Sequence, residues 1–438
     1  MNKKVPLGMA VTVAAIVTTI AIMLTYTFAI NTFENRMSSV TERRVTNALL
    51  SEIDGKIRQK YYGKIDEGML ARSMASGMAN GLGDDNCAYL TADEWELQKN
   101  RLAGYDFGLG LDLSRASDGN IIVGRATPGS PAAGAGMLKG DIITYVGTDT
   151  AEFSTVLSTG YDKAVANMAS AATSVKLRAK RGERDINFDI TKTKFDIVSV
   201  EWSLIENNAG NIGILNVYTF CDKTPVQFNA AYSSARQAGA EGLMIDLREN
   251  AGGSYEAACA VLDTILPQGN LLSFVDSSGV AKVLYSSDAR MIDMPLCVLI
   301  GGKTAGAAEL FCSNIVDYNK GKLIGTPTKG LLSMQEYFPL SDGSAIKLTT
   351  GLWKTDKGAA IADGRVSPEE RYIIPLSAYQ QENLRLLTPD SDPQVQEAVR
   401  YLSDAIAHGS DGQQTSESVS GGDTVSDGNT AVSPGDGE

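Results

Sequence analysis

Hydrophobic and polar positions recur with different periods along this 438-residue chain, and each period predicts a different kind of element. After Asn2, Lys3 and Lys4, an uncharged run from Val5 to Ile30 is long enough, at roughly 26 residues, to span a bilayer as one helix. A secretory signal would need a shorter apolar segment and a clear small-residue cleavage site, so residues 1–35 read as a short cytoplasmic N-terminus and an uncleaved signal anchor. The paired lysines keep the N-terminus inside, which predicts a single-pass cell-membrane protein with the bulk of the chain extracytoplasmic. The apolar period then becomes four, at Val45, Leu49, Ile53 and Ile57 and again at Leu70, Met74 and Met78. Two amphipathic helices are predicted within residues 36–100, the first ending at Tyr61–Tyr62 and the second before Gly81. Such a helical hairpin is as readily a spacer or a dimer contact as anything chemical.

Between residues 101 and 195 short β-like runs are punctuated by glycine: FGLGLDL, GNIIVGRA, GDIITYVG, SVKLRAK and DINFDIT. They predict a small β-rich module. From Asn211 the pattern is near-continuous apolar runs bridged by helix-like segments, NIGILNVYTF, TPVQFNAAYSSARQAG and then GLMIDLREN. That is the pattern of parallel strands covered on both faces, and it predicts an α/β core over residues 196–408. EYFPLSDGSAIKLTTGLW reads as a hairpin turning at Asp342–Gly343, and a last helix begins after Pro393. From Gly409 to Glu438 the chain is rich in Ser, Gly, Asp and Thr, with neither lysine nor arginine, and predicts a disordered acidic tail.

Within the core, PLCVLI reads as a buried strand, GGKTAGA as a small-residue turn and AAELFCSNIVDY as a helix. This is either an ordinary strand-to-helix connection or an elbow that would seat a nucleophile, with helix-start amides for an oxyanion. Composition narrows the chemistry. A net charge of −13 leaves no basic face for nucleic acid. The five cysteines are scattered, odd in number and set in apolar runs, which predicts free core thiols and neither disulfides nor a zinc site. The single histidine, His408, lies beside the acidic tail, so no imidazole triad or metal site is expected, and no cofactor.

Five segments, GLGDDNCAYLTADEW, GSPAAGAGMLKGDIITYVG, GLMIDLRENAGG, GTPTKG and PLSDGSAIKLTT, resemble in sequence and order the carboxy-terminal processing (tail-specific) proteases over about Leu49 to Leu402. The resemblance implies an α/β core related to the crotonase type and a PDZ domain inserted before it. It implies peptide or protein C-termini as partners, and it suggests a homodimer. FGLGLDL is similar to a PDZ carboxylate-binding loop, which places peptide binding at Gly108, Leu109, Gly110 and Leu111. The family uses a serine nucleophile and a lysine base, which must be buried enough to be neutral.

Carried over residue by residue, that dyad is missing. Glu309, Gly325, Thr328, Gly330 and Gln335 fall into the family frame without a gap, but the nucleophile position is Gly306 and the base position, twenty-five residues later, is Leu331. Gln335, which orients the lysine in the family, has nothing to orient. The oxyanion amides implied by the resemblance are those of Gly252 and Ala307. A two-residue slip in both segments would bring in Thr304 and Lys329 at the same separation, but it breaks the register of the surrounding frame. The expectation is a peptide-binding pseudoprotease; the alternative is an active serine-type endopeptidase, or one using Thr304 and Lys329.

Overall fold

A computed structural model describes residues 44–288 and 292–414, together with Thr18, Met23 and Thr25. The expected membrane anchor and the tail beyond Gln414 lie outside the described residues, those three positions aside. Among the described residues no helix is long and apolar enough to cross a membrane. The chain forms two units, Met1–Gly77 and Met78–Glu438.

In the first unit, residues 44–60 are helical and stop before Tyr61–Tyr62. Arg58, held within this helix by Asp54 at 2.9 Å, ties it to the start of the next, Glu67–Asn80, through Glu67 at 2.6 Å. Val45, Leu49 and Ile53 are exposed, so within this unit the apolar stripe of the first helix has no cover.

The second unit begins its β-rich part with strand Tyr105–Gly108, paired antiparallel to Thr193–Asp196. Between them lies a six-stranded sheet whose main path runs Leu111–Arg115, Ile121–Ala126, Ile142–Thr148, Ser174–Arg181, Arg184–Thr191. Helix Tyr161–Ser170 packs on it through Ala164 and Met168. The sequence pattern missed this helix, because its buried face is two residues wide and one of them is alanine.

The α/β core is built on a five-stranded sheet in the order Val200–Ile205, Asn211–Val217, Ala240–Asp246, Leu296–Ile300, Gly321–Gly325. The first pair is antiparallel and the other three are parallel. Alternate residues serve opposite faces: Leu215, Val217, Leu243 and Ile245 pack beneath helices Thr224–Gln237, Tyr255–Ile265 and Ala307–Asp317. Ile212, Ile214, Met244 and Cys297 meet Val395, Ala398 and Leu402 of helix Pro393–Gln414. With both faces covered, neither set of positions is polar, and the strands read as unbroken apolar runs. All five cysteines are buried free thiols. The last helix continues to Gln414, so the tail expected to be disordered from Gly409 is helical over its first residues.

A second, antiparallel sheet is centred on Ala345–Lys354, which pairs with Ser333–Pro339, with Ala88–Leu90 and with Gly269–Val275. Ser333–Pro339 and Ala345–Lys354 are the hairpin expected from sequence, and its turn is fastened by Asp342 Oδ1, which accepts from Ser344 N at 3.0 Å. Arg385 joins the β-rich part to the core, pairing with Asp112 at 2.9 Å and with Glu249 at 3.0 Å. Glu249 precedes the loop Asn250–Gly253, so these charges fix one wall of the site.

Candidate functional site

Strand Leu296–Ile300 ends in a turn that Thr304 staples shut. Its hydroxyl accepts from Gly301 N at 3.0 Å and donates to the Leu247 carbonyl at 2.8 Å. Ala305 N–H donates to Asn250 O at 3.1 Å, which ties the elbow to the neighbouring loop. Gly306 then sits at φ 55°, ψ −116°, immediately before helix Ala307–Asp317. An L-residue rarely adopts this conformation, and its appearance at a strand-to-helix elbow is strain of the kind kept at functional positions. A Cβ at residue 306 would lie 3.5 Å from Tyr255 Oη and 3.7 Å from Leu331 Cδ2. Gly306 and Leu331, the positions where the resemblance leads one to expect nucleophile and base, therefore face each other, and neither carries a reactive group.

Glu309 holds them there. The carboxylate is fully buried, and its Oε2 accepts from Gly306 N at 2.8 Å and from Leu331 N at 2.8 Å. Its Oε1 accepts from Gly330 N at 2.7 Å and from the Thr328 hydroxyl. One side chain thus fixes the backbone at both Gly306 and Leu331, with four donors offsetting the cost of burying its charge.

Gly306, Ala307, Leu331 and Gln335 line a cavity of about 420 Å³, together with Tyr255 and Lys347. Gln335 turns its amide nitrogen to Ser333 Oγ at 2.7 Å. Tyr255 donates to the Ser333 carbonyl at 3.2 Å, and burial followed by the nearby Glu309 charge pushes its hydroxyl well above the ordinary range, which makes it a poor nucleophile. Ser254 caps helix Tyr255–Ile265 by accepting Ala257 N at 3.1 Å. Lys347 was missed as a site residue, although it stands in PLSDGSAIKLTT. The available signal was strand alternation, which puts Lys347 on the face opposite Ile346 and Leu348 and level with Tyr337 across the hairpin.

One expected assignment changes. The Gly252 amide, implied as an oxyanion donor, donates to Asn250 Oδ1 at 2.8 Å, because the side chain of Asn250 closes a turn over its own loop. Ala307 N–H has no acceptor among the described residues and does line the cavity. Thr304 and Lys329 share a backbone hydrogen bond, Lys329 N to Thr304 O at 3.0 Å, but their side chains part. The Thr304 hydroxyl is buried and committed to Leu247, whereas Lys329 is exposed.

Next in the same loop, Gly253 (φ 120°) bridges to Phe220, and a Cβ there would stand 2.1 Å from the Phe220 carbonyl oxygen. Gly253→Ala is expected to cost about 2–3 kcal/mol through backbone strain and displacement of that strand end. A shift of the denaturant midpoint would measure it; a loss below about 1 kcal/mol would mean that the loop relaxes freely.

Gly108, Leu109, Gly110 and Leu111 line a separate cavity of about 570 Å³, opposite Val165 and Met168 of helix Tyr161–Ser170. Leu109 O and Gly110 O accept from Ala132 N and Thr127 N, whereas the N–H groups of Leu109 and Gly110 find no acceptor among the described residues. The loop therefore keeps two N–H groups without an acceptor at the edge of a groove that it lines with helix Tyr161–Ser170. Among the described residues no cluster of His, Cys, Asp and Glu could hold a metal ion.

Comparison with known proteins places this geometry. Residues 211–372 match peptidase family S41. A "Probable CtpA-like serine protease" of Staphylococcus epidermidis is 27% identical over 338 residues, covering 76% of this chain and 67% of the relative. The "Carboxy-terminal processing protease CtpA" of Bacillus subtilis is 28% identical over 323 residues, covering 73% of this chain and 67% of the relative. The crystal structure of a Bacteroides fragilis protein assigned to the S41 proteases shares the fold, with a TM-score of 0.51 at 18% identity, over 79% of this chain and 92% of that one. Residues 211–372 thus match peptidase family S41, and over about three quarters of its length the chain is similar to carboxy-terminal processing proteases.

Proposed function

We propose that this protein is a membrane-anchored pseudoprotease that captures extended peptides or protein C-termini outside the cytoplasm without cutting them. The observation that carries this reading is Gly306 facing Leu331 across the cavity, both backbones held by Glu309. Glycine has no atom with which to attack and leucine no lone pair to accept a proton, so an intact frame surrounds an absent reaction. In this reading the β-rich part is a PDZ domain inserted before a crotonase-type core. The amides at Gly108 to Leu111 receive the peptide carboxylate, and the strand edge beside them pairs with its backbone. The N-terminal run is the anchor, and the exposed stripe of Val45, Leu49 and Ile53 suits a homodimer.

The full-length chain, incubated with fluorescent peptides ending in a free carboxylate, is expected to bind them saturably and leave them intact by mass spectrometry. Turnover that disappears in Lys329→Ala, a change at an exposed side chain, would reverse the conclusion in favour of an active endopeptidase.

A further inference from the structure

The cavity at the vacated dyad holds one positive side chain to which the frame assigns no role. Lys347 sits in strand Ala345–Lys354, fixed on both sides by Tyr337 and Ala88, so its backbone has no freedom to turn away. Gln335 and Tyr337 line the cavity with it from the neighbouring strand. Among the described residues the Lys347 ammonium has neither hydrogen bond nor ion pair, in a protein whose net charge is −13. Neither Asp84 nor Asp222 forms an ion pair with it. Asp84 spends its oxygens on Asn86, Cys87 and Thr349, and Asp222 lines the cavity but is exposed. A half-buried amine without a partner is costly, and burial lowers the pKa of Lys347 accordingly, with Cys87 and Asp84 opposing and Lys329 adding to the effect.

The rest of the cavity suits a chain end. Ala307 N–H is a second unused donor in the same space, and Leu331 and Leu102 supply apolar wall. At about 420 Å³ the space is within the range of sites that hold organic ligands, larger than one ion requires.

We infer that the emptied catalytic cleft is a carboxylate-binding site in which Lys347 pairs with a carboxylate of a captured peptide while Leu331 packs against an adjacent apolar side chain. This inference rests on the reading of the chain as a non-cleaving peptide binder and assigns that reading a second contact point. Leu331 contributes to it twice: it places no second amine beside Lys347 to compete for a proton, and it supplies apolar surface. The carboxylate could be the chain terminus or an acidic side chain near it. Both give the same charge-assisted hydrogen bond.

The test compares the full-length wild-type chain with Lys347→Met, Lys347→Arg and Val165→Asp, the last introducing a like charge into the separate groove at Gly108 to Leu111. Each is titrated by fluorescence anisotropy with an apolar-ended peptide carrying a free C-terminus, its C-terminal amide, and an amide with aspartate in the last position. Lys347→Met is expected to weaken the carboxylate peptides roughly tenfold or more, while Lys347→Arg holds within a few-fold of wild type. Lys347→Met should melt no lower than wild type, because it removes an unpaired charge; a merely structural lysine would lower the melting point and leave affinity unchanged. Between the two ligand sources, a loss confined to the free C-terminus assigns the main-chain carboxylate, and a loss for the aspartyl amide as well assigns either. Equal binding by wild type and Lys347→Met overturns the cleft site, and if Val165→Asp then abolishes binding, capture at the loop survives alone. Cleavage of any peptide in the same samples would instead sink the non-cleaving reading itself.

Discussion

Glu309→Ala is expected to destabilise the core by about 4 kcal/mol, the largest single effect outside the hydrophobic interior. The substitution leaves Gly306 N and the Thr328 hydroxyl, both buried, and Gly330 N and Leu331 N, both partly buried, without an acceptor. Each orphaned donor costs on the order of 1–3 kcal/mol, and water entering the gap recovers part of the sum. Glu309→Gln keeps the volume and one acceptor oxygen but turns an amide nitrogen toward the remaining donors, so an intermediate loss is expected. Trp353 reports on this region, because its buried indole donates to the Leu331 carbonyl at 3.3 Å. Denaturation followed by tryptophan fluorescence would measure both variants. A loss below about 1 kcal/mol for the alanine variant would show that the elbow and the segment at residue 331 hold their positions without the carboxylate.

If the proposed reading of residues 306 and 331 holds, installing a serine and a lysine there, Gly306→Ser with Leu331→Lys, is expected to raise peptide cleavage at least about 1,000-fold above the wild-type background, since a nucleophile and its base act as a unit. Either substitution alone should gain little for the same reason. The site has room: a Cβ at residue 306 touches nothing closer than 3.5 Å, and its neighbour at 3.7 Å is the side chain that would become the base. The serine would pay about 1–2 kcal/mol in backbone strain at φ 55°. Lys347 helps the restored base, because two ammonium groups on one cavity disfavour each other's charge and favour the neutral amine that takes the serine proton. Ala307 N–H remains available to the developing oxyanion. A folded double variant that binds peptides but cleaves no faster than wild type would show that more than the dyad has been lost.

Much of the architecture was written into one dimension. Covering a parallel sheet on both faces demands apolar residues at successive positions, so Leu296–Ile300 and Ala240–Asp246 are visible as runs and their helices as the segments between them. The hairpin declares itself through Asp342–Gly343. Strands Gly269–Val275 and Ala281–Ser287 do not, because they complete a sheet whose centre, Ala345–Lys354, lies some seventy residues further on, and nothing local marks that pairing. That glycine stands at residue 306 and leucine at residue 331 is likewise a property of the sequence, since no packing can give Gly306 a side chain or Leu331 a lone pair.

What folding alone decided is where unremarkable groups end up. The Gly252 amide is claimed by Asn250, two residues away, and the Thr304 hydroxyl by Leu247, fifty-seven positions earlier; hydrogen bonds are settled by proximity in three dimensions. Glu309 fits the family frame in sequence, but its grip on Gly306 and Leu331 at once exists only when helix and strand are brought together. Lys347 is an ordinary polar position of a hairpin until strands Ser333–Pro339 and Ala88–Leu90 close on either side of it and place it in the lining of the cavity beside Gly306 and Leu331.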